Sequence, residues 1–122
     1  MAQVLIVEDN ASLRLAYASF TEEAGHSVHA CSGVEEAMEY LSANTPDVIL
    51  LDMLMPRVNG LELLQRYDVR QEHTNVKVIA FSNLTEERII QQATDFGASL
   101  YLTKSLTTPK NLLDAIDAVL KK

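Results

Sequence analysis

Val48-Ile49-Leu50-Leu51 places four apolar residues in a row, with no polar side chain on either face. A strand of that kind has to be covered on both sides, as a central strand of a parallel sheet flanked by helices is. The rest of the chain repeats the theme. Besides this run at 47–51, strand-like runs fall at residues 3–8, 27–30, 76–81 and 99–102. Segments with apolar residues at helical spacing separate them. Leu13, Tyr17, Phe20 and Ala24 recur along residues 11–24, and Ala37 and Leu41 share a face of residues 34–43, which Thr45-Pro46 stops. A helix over about 61–70 follows the Asn59-Gly60 turn. Thr85 is expected to cap the next helix, with Glu86 and Glu87 in its first turn, where the dipole favours acids, and Gly97 to end it. Thr108-Pro109 reads as an N-cap with proline at the first helical position, opening a helix whose apolar face is Leu112, Leu113, Ile116, Val119 and Leu120. Five β-α units without repeat or linker predict an α/β fold. Its form is a five-stranded doubly wound parallel sheet of flavodoxin-like order 2-1-3-4-5 with five helices. At 122 residues it is one domain, 1–122.

The strand-like runs end on polar groups of different types. The first meets Glu8-Asp9, the third Asp52, the fourth Ser82 and the fifth Lys104. In an open α/β sheet all of these gather at the carboxyl edge, where ligands bind. Three carboxylates, a hydroxyl and an ammonium together read as a metal-assisted phosphorylation site. Clustered anions repel unless a cation intervenes, and an oxygen-only set suits Mg2+. Singly, each group has a plainer role: Asp52 as a loop cap, Asp9 as a helix cap in a solvated loop, Ser82 satisfied at its strand end, Lys104 as a surface ammonium. The joint pattern outweighs those readings.

Composition excludes several classes. A hydrophobic fraction of 48% with 22% charged residues is that of a globular chain. A net charge of -7 argues against nonspecific binding to nucleic acid or anionic membrane. No apolar stretch approaches the roughly 20 residues of a membrane span, and Met1 runs directly into a strand, so no signal peptide is expected. The single cysteine, Cys31, fits a buried structural thiol in a reducing compartment such as cytoplasm. His26, His29 and His73 lack metal-ligand spacing and read as surface residues. No G-x-G-x-x-G follows the first strand, which excludes a dinucleotide-binding enzyme.

Four segments taken in order resemble the response-regulator receiver domain: V-L-I-V-E-D-N, D-V-I-L-L-D-M-L-M-P-R-V-N-G, A-F-S and G-A-S-L-Y-L-T-K. The resemblance covers nearly the whole chain. It implies that Asp52 accepts a phosphoryl group from a histidine kinase or phosphotransfer protein, forming an acyl phosphate. It implies Mg2+ bound by Asp9, Asp52 and the backbone carbonyl of Leu54, with Glu8 acting through water. Lys104 and Ser82 would then stabilise phosphoryl oxygens. Ser82 and Tyr101 would form the switch: the phosphate draws the hydroxyl inward and Tyr101 moves from exposed to buried. The face built from the fourth helix, fifth strand and fifth helix would change with it. A half-buried strand aromatic is the plainer reading of Tyr101. Such a protein phosphorylates itself from a donor and slowly loses the phosphate, without turnover.

Two positions depart from the family pattern. Asn83 stands where Ala or Gly usually follows the switch hydroxyl, and is expected to narrow access to Asp52 and slow phosphotransfer and hydrolysis. Ser105 stands where proline, often cis, usually follows the lysine. A cis bond before serine costs about 3–4 kcal/mol, so a trans bond and a reshaped loop before Thr108 are expected, with Lys104 less firmly held. Nothing after Lys122 leaves room for a DNA-binding effector, so output is expected through a partner protein or a domain absent from this chain. Arg88, Gln91 and Lys121 are candidates for a phosphorylation-linked dimer face. The alternatives are a phosphorylation-independent adaptor and, less favoured, a metal-dependent phosphohydrolase. The latter lacks a second acid two positions after Asp52.

Overall fold

A computed structural model of the chain describes residues 2–55, 60–83 and 87–121. Within them the strands are β1 (Gln3–Val7), β2 (Ser27–Cys31), β3 (Val48–Asp52), β4 (Lys77–Ser82) and β5 (Leu100–Thr103). The helices are α1 (Ala11–Glu23), α2 (Val34–Leu41), α3 (Gly60–Tyr67), α4 (Glu87–Asp95) and α5 (Pro109–Leu120). All strand pairs are parallel and the order is β2-β1-β3-β4-β5, the doubly wound topology expected. β3 is buried at every position. Its residues divide by strand alternation, Ile49 and Leu51 packing with α2 and α3, Val48 and Leu50 with α5.

Helix ends show where side-chain chemistry overrode pattern. In α1 the buried residue is Thr21, while Ala24, expected on the apolar face, is the exposed C-cap. Thr21 tolerates burial because its hydroxyl donates to the Tyr17 carbonyl at 2.7 Å. α2 ends two residues before the expected position 43, with Ser42 as its C-cap and the Asn44 amide donating to the Tyr40 carbonyl. α3 starts at Gly60 and stops at Tyr67 rather than 70. The next residue, Asp68, adopts φ +50° and its side chain accepts from the Gln71 N–H. Thr85 and Glu86, expected at the start of α4, lie outside the described residues, as does Asn59. Gly97 does end the α4 segment. Its φ is +111°, and an added Cβ would lie 2.4 Å from Val69. In α5 Thr108 caps as expected, in a reciprocal capping box with Asn111. Ala115 joins the buried face there, whereas Leu120 is exposed.

Cys31 is buried, and burial pushes its thiol up to about 11, which leaves it protonated and unreactive. The histidines are less idle than expected. His29 stacks on Tyr40, His73 stacks on Tyr67, and His26 accepts the Ala2 N–H at 3.1 Å.

Gly60 ties the α3 start to the end of β3. Its N–H donates to the Met53 carbonyl, and an added Cβ would sit 2.7 Å from the backbone oxygen of Asp52. Because that neighbour is backbone, Gly60→Ala is expected to cost about 1–3 kcal/mol of stability. Chemical denaturation checks this; an unchanged midpoint would show that α3 can shift freely.

Candidate functional site

Parallel pairing brings the site together. Val7 stands opposite Leu51, so Glu8 and Asp52 leave adjacent strand ends side by side. Phe81 stands opposite Asp52, which puts Ser82 one residue beyond it, and Ser82 pairs with Thr103, directly before Lys104. Glu8, Asp52 and Ser82 are buried, while Asp9 is exposed. One oxygen from each of Glu8, Asp9 and Asp52 lies within 4.8 Å of the others, close enough to share one ion.

Lys104 is the cation among these acids. Its Nζ lies 2.6 Å from Glu8 Oε1 and 3.2 Å from Asp52 Oδ2, and sits over the Phe81 ring, 5.8 Å from its centroid. Burial alone would lower the lysine pKa, but its carboxylate partners more than offset this and hold it raised. Asp52 is pushed up to about 7. Burial is the main cause and Glu8 adds to it, against the opposing Leu54 N–H and Lys104. Among the described residues, three carboxylates against one ammonium leave excess negative charge, a donor set that fits a hard divalent cation.

The supporting contacts are specific. Leu54 reaches Asp52 through its N–H, which donates to Oδ1 at 3.0 Å. The Asn10 N–H donates to Glu8 Oε2 at 3.1 Å, so both Glu8 oxygens are engaged. Asn10, and not Asp9, is the N-cap of α1, accepting the Leu13 N–H. The Arg14 guanidinium donates to the carbonyls of Glu8 at 2.9 Å and Asp9 at 3.3 Å, clamping the loop that presents both acids. Sequence reasoning missed Asn10 and Arg14. The signals were there: Asn is among the best caps, and a cation in a first turn opposes the helix dipole unless it bonds elsewhere.

Ser82 and Tyr101 are hydrogen-bonded to each other through their side chains, and the Tyr101 ring packs half-buried against the core. Burial raises its phenol pKa. At the two unusual positions, no cis peptide bond is present, so Lys104-Ser105 is trans as expected. The loop is reshaped into a 3-10 turn over Lys104–Leu106, closed by the Thr107 N–H to the Lys104 carbonyl. Contrary to expectation, Lys104 is firmly held by its two carboxylates.

Comparison with known proteins agrees with this geometry. The model of the family "Response regulator receiver domain" matches residues 4–117. The chain is 33% identical over 119 residues to the transcriptional activator protein ExaE of Pseudomonas putida, covering 96% of this chain and 54% of that protein. It is 29% identical to sporulation initiation phosphotransferase F of Bacillus subtilis, covering 98% of this chain and 91% of that one. The chain thus spans about half the length of ExaE and most of the length of the phosphotransferase. The chemotaxis protein CheY4 of Vibrio cholerae superposes with a TM-score of 0.90 at 27% identity, covering 98% of this chain and 99% of that one. With its sheet order, its carboxyl-edge acids and a family match over nearly its whole length, the chain belongs to the response-regulator receiver domain family.

Proposed function

We propose that residues 1–122 act as one receiver domain that takes a phosphoryl group from a histidine kinase or phosphotransfer protein onto Asp52. The observation that carries this reading is the set of contacts on that buried carboxylate: Lys104 on Oδ2, the Leu54 N–H on Oδ1, and Glu8 and Asp9 within reach of one shared ion. An Asp52 oxygen attacks phosphorus and forms a P–O bond while the donor's P–N bond breaks, its electron pair leaving on the imidazole. The Leu54 N–H orients the carboxylate for attack. Lys104 gives the incoming phosphoryl oxygens a fixed positive charge, and Ser82 donates a hydrogen bond to one of them. Asp9, Asp52 and the Leu54 carbonyl would hold a Mg2+ ion, with Glu8 beside them, and the ion would neutralise charge between the carboxylates and the phosphoryl group.

The signal leaves through the α4-β5-α5 face. As Ser82 turns toward the phosphate it gives up Tyr101, and the ring settles anew in the β5 edge. Arg88, Gln91 and Lys121 are exposed near this face, where an output protein or a phosphorylation-linked second copy would dock. Receiver domains are signalling proteins and not turnover enzymes. Here the phosphate is self-acquired from the donor and slowly lost. Among the described residues no helix is long and apolar enough to cross a membrane. A kinase-coupled role fits a cytoplasmic protein, and the net charge of -7 disfavours direct nucleic-acid contact.

Incubation with Mg2+ and a small phosphodonor is expected to yield acid-stable, base-labile phosphate on Asp52, absent from Asp52→Ala. An unmodified wild type would support the adaptor reading, and rapid turnover of varied phosphate esters the hydrolase. Asp9→Asn is expected to weaken Mg2+ binding at least about tenfold, the scale of a lost metal-site group, measured by titration calorimetry. In metal-free buffer, Asp52→Asn is expected to be more stable than wild type at pH 8 and equal near pH 4. The folded pKa of about 7 lies above the ordinary 3.8, so the unfolded chain releases its proton first and wild-type stability falls as pH rises between them. At roughly 1.4 kcal/mol per pH unit the gain is on the order of 4 kcal/mol. Urea unfolding against pH measures it, and a difference that does not grow across that window would overturn the assignment.

A further inference from the structure

The two residues that depart from the receiver pattern touch each other. The Ser105 N–H donates to Asn83 Oδ1 at 2.8 Å. The donor exists because residue 105 is not proline, and the acceptor because residue 83 carries an amide. The bond joins exposed residues on two different loops, one leaving β4 and the other leaving β5. The last paired residues of those strands are Ser82 and Thr103, so a side chain continues the pairing past the end of the ladder. Each partner is also the immediate neighbour of a site residue. Asn83 follows Ser82, and Ser105 follows Lys104, whose Nζ is 3.2 Å from Asp52 Oδ2.

We propose that the Asn83–Ser105 hydrogen bond is a latch that ties the backbone just past the end of β4 to the turn just past the end of β5, next to the residues that face Asp52. It slows both the entry of small phosphodonors and the attack of water on the acyl phosphate. In that attack the water oxygen bonds to phosphorus, the bond from phosphorus to the Asp52 oxygen breaks, and inorganic phosphate leaves. This rests on the phosphoacceptor reading of Asp52. Asn83 and Ser105 are positioning residues: they are neighbours in sequence of Ser82 and Lys104, and they set the spacing of the strand ends that present those two side chains. Bulk at position 83 would also narrow access, but it would not need residue 105. The latch does.

Asn83→Leu keeps the branched four-atom shape with no less bulk and removes the acceptor, so bulk alone would not speed access, whereas Ser105→Pro removes the donor and leaves Asn83 in place. Each is expected to speed loss of phosphate, and labelling by acetyl phosphate with Mg2+, by roughly two- to tenfold, the span of one net hydrogen bond. The double variant is expected to be no faster than the faster single, because both changes remove the same bond. Amide hydrogen exchange at Ser105 reads the latch without any phosphate, and protection there is expected to fall in Asn83→Leu. Wild-type phosphate lifetime in Asn83→Leu, multiplying effects in the double variant, or unchanged exchange at Ser105 would each overturn the proposal. A wild type that takes no phosphate while its Ser105 amide is protected marks a different failure. There the phosphoacceptor reading falls, and the latch loses its kinetic role while the bond stands.

Discussion

Adjacent parallel strands deliver Glu8 and Asp52 to the same buried place, and two carboxylates there repel each other in low dielectric. The Lys104 ammonium, bridging both, is the contact that makes the arrangement tolerable. Its geometry depends on the rest of the fold. β5 is the sheet edge, separated from β1 by β3 and β4, so the lysine reaches across two strands to Glu8, with its ammonium over the Phe81 ring of β4. Phe81 in turn meets the Tyr17 ring of α1 edge to face, with centroids 5.0 Å apart. A shift of α1 would move the ring that sits beneath the ammonium.

The acidic loop after β1 is constrained with equal care. Glu8 accepts from Lys104 and from the Asn10 N–H, Asn10 caps α1, and Arg14 from the same helix returns to bind the carbonyls of Glu8 and Asp9. One helix start thereby orients two carboxylates with different exposures. The buried acid is committed to internal partners, and the exposed one faces outward at the rim. That division gives adjacent residues of similar chemistry distinct environments, and environment sets what a carboxylate can do.

Much of this was legible in the sequence because it follows from repetition. The unbroken apolar run of β3 demanded cover on both faces, and the alternation of runs and helices left few topologies. Strand ends then named Glu8, Asp52, Ser82 and Lys104 as neighbours without any side-chain geometry. What stayed hidden depends on individual rotamers and local bonds. Thr21 is buried in place of Ala24 because its hydroxyl finds a carbonyl within its own helix. Asp68 ends α3 by taking a left-handed conformation that periodicity does not encode. Lys104 is held firmly, although its neighbour is not proline, because its anchors are carboxylates far along the chain. The pairing of Asn83 with Ser105 joins positions 22 residues apart, a separation no local pattern reveals.

The Lys104–Glu8 contact spans 96 residues of the chain. An emerging polypeptide therefore presents its first strand and its acids long before the lysine that balances them has been synthesised. Until the fifth strand docks, Glu8 and Asp52 have no ammonium between them, and the acidic edge is incomplete as a site. Closing so distant a contact is also entropically slow compared with local pairings. Charge balance at this edge is thus a property that the fold acquires only when its last strand docks, not one that its first strand carries with it.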